Sequence, residues 1–104
     1  MGDRISISFK DEQEESIVFF EHHAGLSLKK DVEKFIKEID EIHPKDEHDP
    51  ITRREASCVM PIFIAWYAGE HGINYSVYLG ATQNDGDNSD NGHFVFDLVT
   101  GKWD

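Results

Sequence analysis

The sequence is poor in cysteine, proline and positive charge. Its 104 residues include one Cys and three Pro, so Cys58 forms no disulfide within the chain and is typical of a reducing compartment. The longest uncharged apolar run, residues 58–68, has 11 residues, well short of the ~20 needed to cross a bilayer. Residues 1–10 lack the basic and apolar segments of a secretory signal. We therefore expect a cytoplasmic protein without membrane contact.

The scarcity of basic residues bears on the partners that the protein can bind. Lys and Arg number 10 against 21 Asp and Glu, a formal charge of −11. This charge has the wrong sign to neutralise phosphates, which disfavours direct binding of nucleic acid. It suits binding to a protein partner with a basic surface. In one form of this hypothesis, the chain itself is an acidic mimic of nucleic acid that occupies the partner's basic groove. Solubility alone is the alternative explanation for the same charge.

The length and the apolar content predict one α+β domain spanning residues 1–104. Typical domains run from about 100 to about 150 residues, which leaves no room for a second one. Hydrophobic residues make up 38% of the chain, with seven Phe, three Tyr and two Trp. This is enough apolar material to build a core and argues against disorder.

Alternation of polar and apolar residues predicts four strands. In residues 4–10, Ile5, Ile7 and Phe9 alternate with polar residues and line one face of a half-buried strand. A β-branched and aromatic run at residues 16–20 follows, and we expect it to pair with the first strand as a hairpin. Two further alternating runs, residues 73–80 and 93–99, predict strands near the end of the chain.

Two helices are predicted between these strand pairs. Ser27 is positioned to cap a helix that ends at His43-Pro44 and whose apolar residues recur every three or four positions: Leu28, Val32, Phe35, Ile36, Ile39 and Ile42. The second helix spans residues 52–69 with a kink at Pro61, or begins near Ser57 with Pro61 close to its first turn. Its apolar residues surround most of its circumference, which predicts a central core helix or a homodimer surface.

The element order β-β-α-α-β-β favours an antiparallel four-stranded sheet packed on two helices in a single two-layer domain. A doubly wound parallel fold is disfavoured, because its strands and helices would alternate along the chain. We expect residues 99–103 to form a turn from which Trp103 folds back onto the sheet.

The loop between the last two predicted strands is the most unusual segment. Residues 84–92 hold three carboxylates, and Asp85, Asp87 and Asp90 are the candidate ligands for Ca²⁺, which takes six to eight oxygen ligands. Neither EF-hand register is complete, because position 12 falls on Phe96 or Leu98 instead of Glu. A solvated hairpin loop, with a positive-φ turn at Asn91-Gly92, is the competing interpretation. No other cofactor is predicted.

Histidine and cysteine spacing gives little support to an enzyme. The chain contains no Cys-x-x-Cys and no His-x-x-x-His on a helix. Cys58 lies in the most apolar stretch, where a thiol is poorly reactive. An enzyme using His22, His23, Cys58, His71 or His93 is therefore the least favoured of three hypotheses. A non-enzymatic binding or protein-interaction module comes first, and a calcium-binding domain using residues 85–92 is the alternative.

Overall fold

A computed structural model describes residues 3–72 and 76–104. In chain order the elements are strands β1 (Ile5–Lys10) and β2 (Val18–Glu21), helices α1 (Ser27–Ile42) and α2 (Ala56–His71), and strands β3 (Val77–Gly80), β4 (His93–Asp97) and β5 (Lys102–Trp103). The α+β class and the two helices agree with the sequence-based prediction. The predicted start of the third strand falls on residues 73–75, which lie outside the described residues.

The predicted sheet of four antiparallel strands is wrong in detail. The sheet has five strands in the order β3-β2-β1-β4-β5, and β1 pairs with β4 in parallel while the other pairs are antiparallel. The additional strand is β5, in which Trp103 pairs with Phe96. The parallel pair arises because β3 and β4 do not form a hairpin but lie on opposite sides of the β2–β1 hairpin.

The segment that joins β3 to β4, residues 81–92, is a crossover loop and not the predicted hairpin loop. Strands β2 and β1 lie between β3 and β4 in the sheet. The chain must therefore cross both of these strands, which lie about 4.8 Å from their neighbours, to reach β4. The positive φ of Gly92, 90°, confirms the predicted turn at Asn91-Gly92. The loop therefore covers one face of the sheet, and the two helices cover the other.

The hydrophobic core lies between the helices and the sheet. Ile5, Ile7 and Phe9 of β1 are fully buried, as their alternation predicts. Phe63 of α2 makes edge contacts with Phe9 and Phe19, with ring centroids 5.7 and 5.2 Å apart. The helical spacing thus places the aromatic side chains of both helices against the centre of the sheet.

The start of α1 differs from the predicted one, whereas the start of α2 agrees with one of the two predictions. Ser27 is the first residue of α1 and not its cap; the N-cap is Leu26, and the Ser27 hydroxyl donates to the carbonyl oxygen of Ala24. Helix α2 begins at Ala56, which agrees with the later of the two predicted starts. Pro61 then falls in the second turn, where it removes one backbone donor.

Helix α2 is not the fully enclosed core helix that its composition predicts. One side is buried through Val59, Met60 and Phe63, but Ile62 on the outer side is 38% exposed. The predicted homodimer surface stays a prediction. No helix among the described residues has the length and apolar character needed to span a membrane.

Candidate functional site

A cleft of about 720 Å³ lies at one end of the molecule. It is formed by the β1–β2 connection, the α1–α2 loop and the turn that follows β4. Six carboxylates border the cleft, against three basic side chains. The acidic members are Asp11, Glu12, Glu14, Asp46, Glu47 and Glu55, and the basic members are Lys45, Arg53 and Arg54.

The N-terminus of α2 anchors one wall of this cleft. The Asp11 carboxylate accepts a hydrogen bond from the backbone N–H of Ala56 at 2.7 Å, and Glu14 accepts one from that of Ser57 at 3.0 Å. The first N–H groups of a helix have no partner within the helix, so the β1–β2 connection caps α2 from a distance. Burial acts to raise the pKa of Asp11, but bonds from three backbone N–H groups outweigh it and hold this pKa below its ordinary value.

Buried Arg54 holds the α1–α2 loop, which forms another part of the cleft. Its guanidinium donates to the Asp40 carboxylate at 2.7 Å and to the backbone oxygens of His43 and Ile51 at 2.8 and 2.7 Å. These bonds fasten the α1–α2 loop to the C-terminus of α1. Because the Arg54 charge is buried and paired with Asp40, it offers little compensation to the exposed carboxylates of the cleft.

Two exposed carboxylates of the cleft, Glu12 and Glu47, have side chains that make no hydrogen bond or ion pair with another described residue. Beside them, Lys45 donates to the carbonyl oxygen of Leu98 at 3.0 Å, and the Val99 side chain is 49% exposed. The cleft therefore combines negative charge available to a ligand with a small apolar surface.

The three aspartates predicted to bind Ca²⁺ have partners within the protein. Arg4 forms ion pairs with Asp87 at 2.7 Å and Asp90 at 2.9 Å, and Asp85 accepts the backbone N–H of Thr82 at 2.7 Å. The N–H of Ser89 lowers the pKa of Asp87, and the Arg4 guanidinium lowers that of Asp90. Within residues 3–72 and 76–104, no three His, Cys, Asp or Glu side chains are grouped to hold a metal ion. Calcium binding stays a prediction.

A polar cluster around His93 lies between the sheet and the crossover loop. Ser6 Oγ is 2.8 Å from Nδ1 of His93, and Ser8 Oγ is 3.2 Å from Nε2. Ser8 also donates to Glu15 at 2.7 Å, and the Asn88 amide donates to Ser6 at 2.8 Å. Both serines are fully buried, so neither hydroxyl is open to a substrate.

Beside this cluster is a smaller cavity of about 250 Å³. Its lining includes Glu15 and His93, together with Thr82 and Asn84 of the crossover loop. The cavity adjoins the His93 cluster on the Glu15 side.

The other residues named for the least favoured hypothesis, an enzyme, are dispersed over the described structure. His71 contacts the Asp31 carboxylate at 3.0 Å, and the ring of His22 packs edge-on against Tyr78. His23 is exposed, and Cys58 lies half-buried on α2 without a disulfide. Among the described residues, none of these side chains belongs to a group of three or more His, Cys, Asp or Glu that could hold a metal ion.

A second buried polar group, Glu21, links β2 to α2. Its carboxylate accepts hydrogen bonds from the Tyr67 hydroxyl at 3.2 Å and the Ser76 hydroxyl at 3.4 Å, and from the backbone N–H groups of His23 and Ala24. Burial, reinforced by the Glu21 charge, raises the pKa of Tyr67. These contacts hold elements together and leave no reactive group exposed.

Sequence reasoning missed both the acidic cleft and the His93 cluster. The cleft is assembled from three segments that are distant in sequence, and single carboxylates carry no information in so acidic a chain. The cluster did have a local signal. Ser6 and Ser8 are small and uncharged, although they occupy the face of β1 that alternation assigns to solvent.

No protein-family model, no curated protein and no solved structure matches this chain. The chemistry of the cleft and of the His93 cluster is therefore the basis for a functional proposal.

Proposed function

We propose that the protein is a non-enzymatic interaction module whose acidic cleft binds a basic segment of a partner protein. The observation that carries this proposal is the cleft of about 720 Å³ bordered by six carboxylates. The carboxylates outnumber the basic side chains of the cleft by six to three, and a concave surface with such an excess of one sign of charge attracts ligands of the opposite sign. The net charge of −11 adds long-range attraction for the same partner.

The chemistry of the cleft indicates which segment fits. Glu12 and Glu47 can each pair with a Lys or Arg side chain, because neither has a partner among the described residues. Val99 offers an apolar contact beside them. The best ligand is therefore a peptide in which basic residues flank an aliphatic one. Such a ligand gains both charge pairing and burial of apolar surface.

A binding measurement with a defined probe tests this proposal. The probe is a fluorescein-labelled peptide of lysine, arginine and leucine, and its control has glutamate in place of the basic residues. Fluorescence anisotropy should show saturable binding of the basic peptide that weakens as salt is raised, because salt screens exposed charges. The acidic peptide should not bind.

Two variants with the same change of charge locate the binding site. Glu47→Lys reverses a charge in the cleft, whereas Glu41→Lys reverses one on exposed α1 outside the lining of the cleft. We expect E47K to raise the Kd by about tenfold, which is about 1.4 kcal/mol, and E41K to raise it less than about threefold. Equal losses in the two variants would show diffuse charge attraction, and no binding by the natural sequence would reject the proposal.

The two alternatives of the sequence analysis have their own tests. A mimic of nucleic acid would bind basic proteins through carboxylates spread over the surface, so E41K and E47K would then weaken binding equally. A calcium-binding domain would show saturable heat on titration with CaCl₂ and a higher melting temperature, because a ligand of the folded state stabilises it.

A further inference from the structure

The hydrogen bonds around His93 are consistent with only one arrangement of protons at neutral charge. The Ser8 hydroxyl has a single proton, which it donates to Glu15, so Ser8 can interact with Nε2 of His93 only as an acceptor. Nε2 therefore carries the imidazole proton. Nδ1 is then an acceptor, and the Ser6 hydroxyl donates to it.

The Asn88 amide completes this chain and fixes its direction. Its Nδ2 donates to Ser6 Oγ and also, at 3.2 Å, to the carbonyl oxygen of Gln83. A carbonyl can only accept, which identifies the amide nitrogen. The chain therefore runs from Asn88 through Ser6 to Nδ1 of His93, and from Nε2 through Ser8 to Glu15.

A second proton on His93 fits one side of this chain and not the other. On the Nε2 side nothing changes, because the N–H is already present and Glu15 lies 3.8 Å away. On the other side, Nδ1 becomes a donor, so Ser6 must turn its own proton away. Ser6 has no third side-chain partner among the described residues, and its burial excludes water. A buried hydroxyl without an acceptor is costly.

Asn88 belongs to the middle of the crossover loop, which rests on two aromatic rings. Phe20 and Tyr78 stack with centroids 4.9 Å apart. A Cβ atom on Gly86 would lie 2.6 Å from the Tyr78 ring and 2.8 Å from that of Phe20, so the loop backbone contacts both rings directly. The N–H of Asp87 donates to the Tyr78 hydroxyl at 2.8 Å. Lifting this part of the loop would expose the fully buried Phe20.

We propose that His93 is the proton sensor of a latch, in which its protonation releases Asn88 and lifts the middle of the crossover loop off Phe20 and Tyr78. Release lets water reach the hydroxyl of Ser6 and the new N–H of His93. Burial lowers the pKa of His93, and the nearby Glu15 carboxylate only partly opposes this effect. The latch is therefore closed at neutral pH and opens on acidification. The inference does not depend on the acidic cleft.

The charged groups around His93 do not replace it as the sensor. Arg4 with its two aspartates lies beyond Ser6 on the same face of the sheet, and these carboxylates have lowered pKa values and stay ionised while a histidine titrates. Lys10, paired with Asp104 and placed opposite Asp97, lies beyond Ser8. Glu15 is the one charged side chain in the hydrogen-bonded chain itself. The Arg4–Asp90 ion pair keeps the end of the loop attached, whereas the Arg4–Asp87 ion pair belongs to the part that opens and is lost with it.

The first test observes the imidazole directly in the natural sequence. Long-range ¹H–¹⁵N NMR of the histidine side chains reports which ring nitrogen carries the proton. We expect the Nε2–H tautomer for His93 at pH 7.5 and a titration midpoint below the ordinary histidine value of 6.5. The Nδ1–H tautomer, or a midpoint at or above that value, would overturn the proposal.

The second test follows opening by amide hydrogen exchange, expressed as protection factors to remove the intrinsic effect of pH. Protection of the amides in the middle of the loop, above all that of Asp87, should fall as pH is lowered from about 7 to about 4.5, by at most about tenfold per pH unit because one proton is coupled to opening. Protection of β1 should stay constant over this range, which separates loop opening from global unfolding.

Two variants make this test specific to the latch. His93→Gln takes no proton, so its loop protection should not change over the same pH range. Gly86→Ala introduces a methyl group against Tyr78 and Phe20, so its loop should be open at every pH. The proposal is wrong if loop protection in the natural sequence does not depend on pH, or if H93Q loses protection at the same pH. Should H93Q not fold, the tautomer and the natural sequence's exchange profile still decide.

Discussion

The two faces of strand β1 are buried by different means. On the helix side, Ile5, Ile7 and Phe9 pack against aromatic rings, whereas Ser6 and Ser8 on the other side form hydrogen bonds beneath the crossover loop. Apolar packing is non-directional and carries no charge that titrates. Hydrogen bonds demand a specific partner and a specific proton at each position. The comparison shows that the two faces of one strand can be equally buried while only the polar face contacts a group that titrates, His93.

The largest loss of stability is expected when the central aromatic ring on the helix side of β1, that of Phe63, is removed. Phe63 contacts Phe9, Phe19, Phe35 and Tyr67 and is fully buried. We expect Phe63→Ala to lower the free energy of unfolding by about 3–5 kcal/mol, because it loses buried apolar surface and leaves a cavity. Urea denaturation measures the loss. Phe94→Ala, at a partly buried position, is the control, and an equal loss there would contradict the central role of Phe63.

The loop face should be weakened less by a single substitution. Ser6→Ala leaves Nδ1 of His93 without a donor and removes an acceptor of the Asn88 amide. The expected loss is about 1–3 kcal/mol, the usual cost of a buried polar group left unsatisfied. Exposed Ser57 provides the matched control, since S57A should change the free energy of unfolding by less than about 0.5 kcal/mol. Equal effects in the two variants would mean that burial of Ser6 adds nothing.

Asp11 joins the end of β1 to the start of α2, and its removal should cost about 1 kcal/mol. Asp11→Ala deprives three backbone N–H groups of their acceptor, a loss comparable to that of an N-cap. The folded-state pKa lies below the ordinary 3.8, so this contribution is complete at neutral pH and disappears as pH falls through that lower value. Urea denaturation of D11A and of the natural sequence at pH 7 measures the loss, and the same comparison at pH 2 measures its disappearance. Glu12→Ala is the control and should change the free energy of unfolding at pH 7 by less than about 0.5 kcal/mol.

The smallest loss of stability is expected for an exposed ion pair that lies on neither face of β1. Lys34 and Glu70 form an exposed ion pair at 2.8 Å between the two helices. Lys34→Gln should lower the free energy of unfolding by less than about 1 kcal/mol, because exposed ion pairs contribute little. The difference from the natural sequence should shrink in 1 M salt. A loss as large as that of S6A would contradict the ranking of buried over exposed polar contacts.

Local periodicity predicted the elements well where one face of an element is apolar. The alternation in residues 5–9 and the three- and four-residue spacing from Leu28 to Ile39 each correspond to a buried stripe. The pairing of β1 with β4 was not predictable in this way. Alternation identifies a strand but not its neighbour, and the Asp- and Asn-rich residues 84–91 suit a hairpin loop as well as a crossover loop.

The candidate sites were less accessible to sequence reasoning than the fold. The acidic loop drew attention through its composition, but Arg4, more than 80 residues away in sequence, binds two of its aspartates. His93 was recognised only as one of six histidines. Its partners Ser6 and Ser8 are ordinary residues that become informative only when they are buried together.

The sequence alone determined the α+β class, the negative charge and the apolar faces of β1 and α1, because these depend on composition and on spacing along a few turns or residues. The tertiary structure decided the mixed sheet, the acidic cleft and the proton arrangement at His93. Each of these depends on contacts between segments that lie far apart in the chain. Such contacts are selected by the packing of the whole molecule, and no local pattern of residues specifies them.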